Sequence, residues 1–220
     1  MLGQYGHTDH TIVRCQNAVP IGGITVLEDA LAAVEGGATA IGFNFYPRSK
    51  RYIAPELAAP IAAALPSHIV KAGVFVNEEP SSIEAIAIET GLDVAQLHGD
   101  ESAAQLPTGL RVWKAFRVEA SFNAAQLDQC PSAEAFLLDG PAGAEYGGAG
   151  IPFAWGLAAG ATKRILIAGG LDASNVRQAI REAHPWGVDA CSRIETSPGR
   201  KDRAKMMDFL KAAISAEESQ

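Results

Sequence analysis

Residues 19–45 read VPIGGITVLEDALAAVEGGATAIGFNF, and this stretch decides the fold. Its apolar side chains have the i, i+3, i+4, i+7 spacing of an amphipathic helix: Leu27, Ala30, Leu31 and Val34. Thr25, with Glu28 three residues later, predicts a capping box at the helix start, and Gly36-Gly37 predicts its end. The apolar run at 40–45 then predicts a buried strand. The stretch is therefore one helix-and-strand unit of an α/β fold.

The same unit recurs along the chain. The candidate strands are Thr11 to Cys15 (or Val19 to Ile21), Ala40 to Phe45, Ile69 to Val76, Val94 to His98, Val112 to Phe116, Ala135 to Asp139, Arg164 to Ala168 and Val188 to Ser192. Eight strands, each followed by a helix or a helical turn, predict an α/β fold of the (β/α)8 TIM-barrel type in a single domain. An open doubly wound sheet is the alternative. We expect the barrel at 11–215, a flexible extension at 1–10 and a polar tail at 216–220.

Composition narrows the functional classes. The chain has 220 residues, 48% of them hydrophobic, and a formal net charge of −7, so we expect neither a nucleic-acid nor a membrane partner. Three cysteines without C-x-x-C spacing argue against a disulfide framework and a zinc site. With no export signal at the N-terminus, the expected compartment is the cytoplasm.

Polar residues at the carboxyl ends of the strands are the first candidates for chemistry, because a barrel of this type places its active site there. Asp139 ends strand six and is a candidate general acid or base, although an aspartate there also suits a turn or helix cap. His98 ends strand four as a candidate proton shuttle or substrate-binding residue, with a histidine bonded within its loop as the alternative. It has no partner at metal-ligand spacing, so we expect no metal.

Two further segments suit an anionic ligand. Gly169-Gly170 ends strand seven before a helix opened by Asp172, and strand eight ends Asp189-Ala190-Cys191-Ser192-Arg193, so these residues predict a phosphate site. Arg51 lies in a cationic stretch at 46–52 that suits a ligand carboxylate, or that is only a solvated loop. The glycine-rich loop at 145–150 can fold over a ligand or merely connect two elements.

Several ordered motifs carry a resemblance to a known family. They are Gly23-Ile24-Thr25-x-x-Glu28-Asp29-Ala30, Phe45-Tyr46-Pro47-x-Ser49-x-Arg51-Tyr52, Gly73-Val74-Phe75-Val76-Asn77, Gln96-Leu97-His98-Gly99-Asp100-Glu101, Leu137-Leu138-Asp139, Gly147-Gly148-x-Gly150, Ala168-Gly169-Gly170-Leu171 and Glu195-x-Ser197-Pro198-Gly199-x-Lys201-Asp202. In this order and spacing, over about residues 19 to 214, the chain closely resembles the phosphoribosylanthranilate isomerases.

The resemblance implies a reaction and a set of roles. The reaction is the cofactor-free Amadori rearrangement of N-(5-phosphoribosyl)anthranilate to 1-(2-carboxyphenylamino)-1-deoxyribulose 5-phosphate in tryptophan biosynthesis. Asp139 matches the family's general acid, which protonates the ribose ring oxygen, and such an acid needs a raised pKa to work at neutral pH. Arg51 matches the residue that holds the anthranilate carboxylate. The phosphate positions are Gly169, Gly170, Cys191, Ser192 and Arg193. We expect a phosphorylated small-molecule substrate and a monomer or homodimer.

The general base departs from the family pattern. The family ends strand one with Lys-Ile-Cys-Gly-Ile-Thr and uses that cysteine to remove the sugar C2 proton, whereas Pro20 and Gly22 stand in place of the lysine and cysteine here. One hypothesis is that strand one is Thr11 to Cys15, residues 16–22 form an inserted loop, and Cys15 is the base, with Arg14 favouring its thiolate. The alternatives are a paralogue that binds a related sugar phosphate and a catalytically inactive barrel that binds a partner or metabolite.

Overall fold

The computed structural model describes residues 18–119, 121–140, 152–159 and 161–216. Eight parallel strands pair in chain order: β1 Pro20–Ile21, β2 Ala40–Asn44, β3 Val70–Phe75, β4 Val94–Leu97, β5 Arg111–Arg117, β6 Ala135–Asp139, β7 Ile165–Ile167 and β8 Gly187–Val188. The ring closes through parallel bridges from Ala18 to Gly187 and from Ile21 to Ala190. The predicted (β/α)8 barrel is confirmed, and the open sheet is excluded.

Helices and short 3-10 turns connect the strands. The α-helices are α1 Leu27–Glu35, α2 Pro55–Ala63, α3 Pro80–Thr90, α4 Val176–Ala183 and α5 Arg203–Ser215. The 3-10 helices are Ala103–Gln105, Ala124–Gln129, Trp155–Ala158 and Ser192–Ile194, and β9 Glu195–Ser197 pairs antiparallel with β10 Arg200–Lys201. Within the described ranges, no helix is long and apolar enough to cross a membrane.

The position of strand one decides between the two segments that the sequence offered for it, Thr11 to Cys15 and Val19 to Ile21. Pro20 and Ile21 pair with Ala40 and Ile41 of β2, and the Gly22 amide donates to the Ala190 carbonyl at 3.0 Å. The place of strand one in the barrel is therefore taken, and the hypothesis that residues 16–22 form an inserted loop is wrong. Pro20 is tolerated because it is the first residue of β1, a position at which proline occurs in strands. Cys15 and the rest of residues 1–17 lie outside the described residues.

The start of α1 corrects a second prediction. The helix begins at Leu27 with Val26 as its N-cap and no side-chain capping bond, so the predicted capping box is wrong. The Thr25 hydroxyl instead donates to the Gly199 carbonyl in the turn between β9 and β10. The helix ends as predicted, since Gly36 is its C-cap and Gly37 takes a φ of +95° that favours glycine.

Two apolar layers result from the alternation of side chains along the strands. Inside the barrel lies a small cluster consisting of Ala18, Ala40, Ala72, Val94, Trp113, Ala135, Leu137, Leu166 and Ala168. Outside it, the opposite faces of the strands pack against the helices. Trp113 fills the space that the surrounding alanines leave, so side chains pack the interior of the barrel. The open cavity lies beyond them, at the carboxyl ends of the strands.

Candidate active site

A cavity opens at the carboxyl ends of the strands, where the side chains that follow the interior apolar layer point inward. Asp139 of β6, Asp189 after β8 and His98 after β4 line it, together with Arg51, Gly169 and Cys191. Parallel strands carry their carboxyl ends to the same edge, so residues far apart in sequence meet here. Of the candidate site residues that the structure describes, all but Arg193 line this cavity.

Asp139 lies against a turn in which the close approach of its carboxyl leaves room only for glycine. The carboxyl is largely buried, and Gly169 lies against it with a φ of +84°. A Cβ on Gly169 would lie 2.5 Å from Asp139 Oδ1 and 2.6 Å from the Gly140 nitrogen, so no larger residue fits without displacing the carboxyl. The sequence predicts that Gly169 binds a phosphate, and the structure adds that the missing side chain of Gly169 leaves room for the Asp139 carboxyl.

The predicted phosphate segments of strands seven and eight lie side by side. Gly169 and Gly170 both have positive φ, and within the described residues their amides have no hydrogen-bond acceptor. Asn175, the residue before α4, donates from Nδ2 to the Gly170 carbonyl at 2.8 Å and holds the turn. The helix begins at Val176, not at Asp172 as predicted. The Gly169 and Gly170 amides lie near Ser192 in the cavity wall, an arrangement that suits a bound anion.

Arg193 is placed differently from the other phosphate candidates. Its Nη1 donates to Asp172 Oδ2 at 2.7 Å, and its side chain is 44% exposed, outside the cavity lining. Burial raises the pKa of Asp172, but the hydrogen bonds from Ser174 and Arg193 outweigh it, and the net pKa is lowered. Arg193 therefore ties the loop after β8 to the loop after β7.

Arg51 belongs to a buried ion-pair cluster that sequence reasoning missed. It donates from Nε and Nη2 to the Glu195 carboxylate at 2.7–3.0 Å, and Lys201 Nζ donates to the same carboxylate at 2.9 Å. Burial raises the pKa of Glu195, but the two cations outweigh it and lower the pKa overall. The two-pronged hydrogen bonding of the guanidinium to the carboxylate fixes Arg51 at the cavity wall. Glu195 is 144 residues from Arg51, so no local pattern could have paired them.

His98 is uncharged at neutral pH. Burial and the nearby Lys114 ammonium lower its pKa to about 4, although Glu101 opposes this. Its Nε2 lies 2.6 Å from Gln96 Nε2, a side chain that also lines the cavity. With this pKa almost none of the imidazole is in its cationic form at pH 7, which argues against the proton-shuttle interpretation of His98.

Asp189 is a titratable cavity residue that the sequence analysis named only as part of the predicted phosphate segment. Burial and the neighbouring Asp139 carboxylate raise its pKa to about 7, while Lys201 lowers it. The Asp189 carboxyl thus changes charge near neutral pH. The only sequence signal was its position at the end of a strand, which it shares with many residues that do no chemistry.

The loop predicted at 145–150 lies outside the described residues, as does Cys15. Among the residues that are described, no group of three His, Cys, Asp or Glu side chains is placed to hold a metal ion.

Comparison with known proteins assigns the chain to a family. The family model for N-(5'-phosphoribosyl)anthranilate isomerase matches residues 19–212. The chain belongs to this family. It is accordingly an enzyme, an isomerase of tryptophan biosynthesis. An N-(5'-phosphoribosyl)anthranilate isomerase of Solibacter usitatus is 58% identical over 194 residues, which cover 88% of this chain and 96% of that protein.

Solved structures of the isomerase family agree with the fold. One is a phosphoribosylanthranilate isomerase in complex with reduced 1-(o-carboxyphenylamino)-1-deoxyribulose 5-phosphate, with a TM-score of 0.78, 38% identity and coverage of 90% of this chain and 99% of that one. Another describes mutually generated monomers of the dimeric isomerase from Thermotoga maritima, with the same TM-score, identity and coverage. The alternatives of a repurposed paralogue and an inactive barrel are not favoured.

Proposed function

We propose that the cavity binds N-(5-phosphoribosyl)anthranilate with its phosphate at the Gly169-Gly170 turn and its carboxylate at Arg51. The observation that carries this proposal is the placement of Asp139 in the same cavity as both anion-binding elements. The Gly169 and Gly170 amides, which have no acceptor in the described part of the chain, suit the phosphate, and a guanidinium fixed by Glu195 suits the planar carboxylate. A relative with a bound deoxyribulose phosphate supports the same class of ligand.

Asp139 acts as the general acid in this proposal. It gives its proton to the ribose ring oxygen as the bond from that oxygen to C1 breaks, and the nitrogen lone pair forms the C1=N iminium. Gly169 leaves the carboxyl room to face the substrate. His98 and Gln96 bind the substrate as uncharged hydrogen-bonding groups. Cys191 contributes its backbone to the phosphate end, and Ser192 contributes its backbone and its hydroxyl. Arg193 holds the two phosphate loops together through Asp172.

The test is turnover by the purified chain, followed by the loss of substrate fluorescence. We expect the parent to be active and Asp139→Asn to lower kcat by about 10²- to 10⁴-fold, the usual contribution of a positioned acid. Asn keeps the shape of Asp, so a loss without a change in the urea midpoint reports the proton. An active Asp139→Asn variant would contradict the assignment of the acid, and an inactive parent would contradict the proposed function.

Two further properties belong to this proposal. Cys130 and Cys191 are free thiols, which suits a reducing cytoplasm. The chain works as a monomer or a homodimer, and light scattering during gel filtration distinguishes the two.

A further inference from the structure

Strand one presents glycine where the reaction needs a base, because Gly22 has no side chain to accept the C2 proton of the sugar. We propose that Asp189, at the end of strand eight, removes this proton in its place. The inference rests on the proposed function and concerns the step that follows ring opening.

The geometry of β1 and β8 brings Asp189 to the place where a strand-one side chain would begin. The Gly22 amide donates to the Ala190 carbonyl, which fixes the two chain segments against each other. A Cβ built on Gly22 would lie 3.5 Å from Asp189 Oδ1 and 3.8 Å from Oδ2, an ordinary contact distance. The Asp189 carboxylate thus adjoins the space that a side chain at position 22 would enter.

The Asp189 carboxylate is also available for proton transfer. Its backbone N–H donates to the Ile167 carbonyl at 2.8 Å, which positions the residue, and within the described ranges its carboxylate oxygens have no hydrogen-bond donor. It lines the cavity. The charged groups that face it are Asp139 from β6, which raises its pKa, and Lys201 from β10, which lowers it. The resulting pKa of about 7 is well matched to a base at neutral pH.

Cys191 is the competing candidate, and its surroundings argue against it. Its sulfur lies against Gly23, 3.7 Å from Lys201 Nζ and 3.9 Å from Glu195 Oε1. The thiol is therefore turned toward the buried ion pairs. Burial raises the thiol pKa more than Lys201 and Arg51 lower it, so the group stays protonated at neutral pH.

The proton transfers balance across the two carboxyl groups. In ring opening, Asp139 loses its proton to the ring oxygen and becomes a carboxylate. In the next step Asp189 takes the proton from C2, the C2–H electron pair forms the C1=C2 bond, and the C1=N electrons return to nitrogen, which gives the enaminol. The pair thus carries one negative charge before ring opening and again after the C2 proton has moved, and between the two steps the positive charge of the iminium offsets the second carboxylate. Tautomerisation, in which C1 gains a proton and the C2 hydroxyl loses one, completes the rearrangement.

The experiment compares the kcat/KM pH profiles of the parent, Asp189→Asn and Asp208→Asn, with N-(5-phosphoribosyl)anthranilate as substrate. Asp208 lies exposed on α5, so its variant removes the same charge away from the site. We expect a parent profile that falls below about pH 7. Asp189→Asn should lower kcat/KM by about 10²- to 10⁴-fold and lose this acid limb, while Asp208→Asn keeps both.

A rescue variant separates a base from a structural residue. Gly22→Cys introduces a thiol into space where its Cβ makes only ordinary contacts, so it should fold. In the Asp189→Asn background it should restore activity by about tenfold or more, with an acid limb shifted toward the higher pKa of a thiol.

Three outcomes overturn the inference while leaving the proposed function intact. One is an Asp189→Asn variant within about threefold of the parent, an effect too small for a lost base. Another is a weak Asp189→Asn variant that keeps the parent's acid limb, which would place the base elsewhere. The third is loss of turnover in Cys15→Ser while Asp189→Asn stays active. A parent without turnover, in contrast, contradicts the function itself, and the inference with it.

Discussion

Gly169→Ala is the substitution whose effect the structure specifies most closely, and Gly91→Ala is its matched control. Both glycines have positive φ, +84° at Gly169 and +68° at Gly91, so an alanine at either position suffers the same kind of backbone strain. They differ in surroundings. A Cβ on Gly91 would meet nothing within 4 Å, whereas on Gly169 it would lie 2.5 Å from Asp139 Oδ1.

The expected magnitudes follow from these two terms. Left-handed backbone destabilises an L-residue by about 1–2 kcal/mol, which is the whole effect at Gly91. At Gly169 the crowded Cβ adds about 1–3 kcal/mol of overpacking. Because the neighbours it displaces are Asp139 and the Gly140 backbone, the general acid moves as well. A displacement of about 1 Å at a catalytic group can lower the rate by about 10²-fold.

The assay pairs urea unfolding with steady-state kinetics. Gly91→Ala should lower the free energy of unfolding by about 1–2 kcal/mol and leave kcat/KM near the parent value. Gly169→Ala should lose about 2–5 kcal/mol and about 10²-fold in kcat/KM. Equal losses of stability and equal kcat/KM in the two variants would refute the contact between Gly169 and Asp139.

Two further predictions concern buried charge. Glu195→Gln should destabilise the protein by about 3–5 kcal/mol, because it leaves the buried Lys201 ammonium without its carboxylate. It should also raise KM, because it releases Arg51. A loss below about 1 kcal/mol in urea unfolding would contradict this prediction. For His98, the folded pKa of about 4 lies below the unfolded value of 6.5, so its stabilisation is complete above pH 6.5 and is lost as the pH falls to 4. This shift in pKa corresponds to about 3 kcal/mol of unfolding free energy. His98→Gln should therefore make the urea midpoint depend less on pH between about 4 and 6.5.

Much of the fold was predictable because it depends on neighbouring residues. The apolar spacing of α1 and its Gly36-Gly37 end are local patterns, and the strand count followed from short apolar runs between helical stretches. The capping box failed for the opposite reason. Thr25 has the right neighbour in sequence, but its hydroxyl is used 174 residues away at Gly199.

The candidate site was predictable only in part. Asp139, Arg51, His98 and the Gly169-Gly170 turn were found from their place at strand ends and from the motifs around them, and their roles stay predictions. Glu195 and Lys201 were missed as a cluster, because only the folded chain brings them to Arg51. Thr11 to Cys15 has more strand-like residues than Val19 to Ile21, yet the latter forms β1.

By itself, then, the sequence determined the repeating strand and helix units and the family, since both depend on patterns of residues close together along the chain. Only the tertiary structure decided which segment forms strand one, which carboxylate holds Arg51 and which side chain faces the space at Gly22. These depend on closing the barrel, because the bridges between the first and last strands join residues about 170 positions apart.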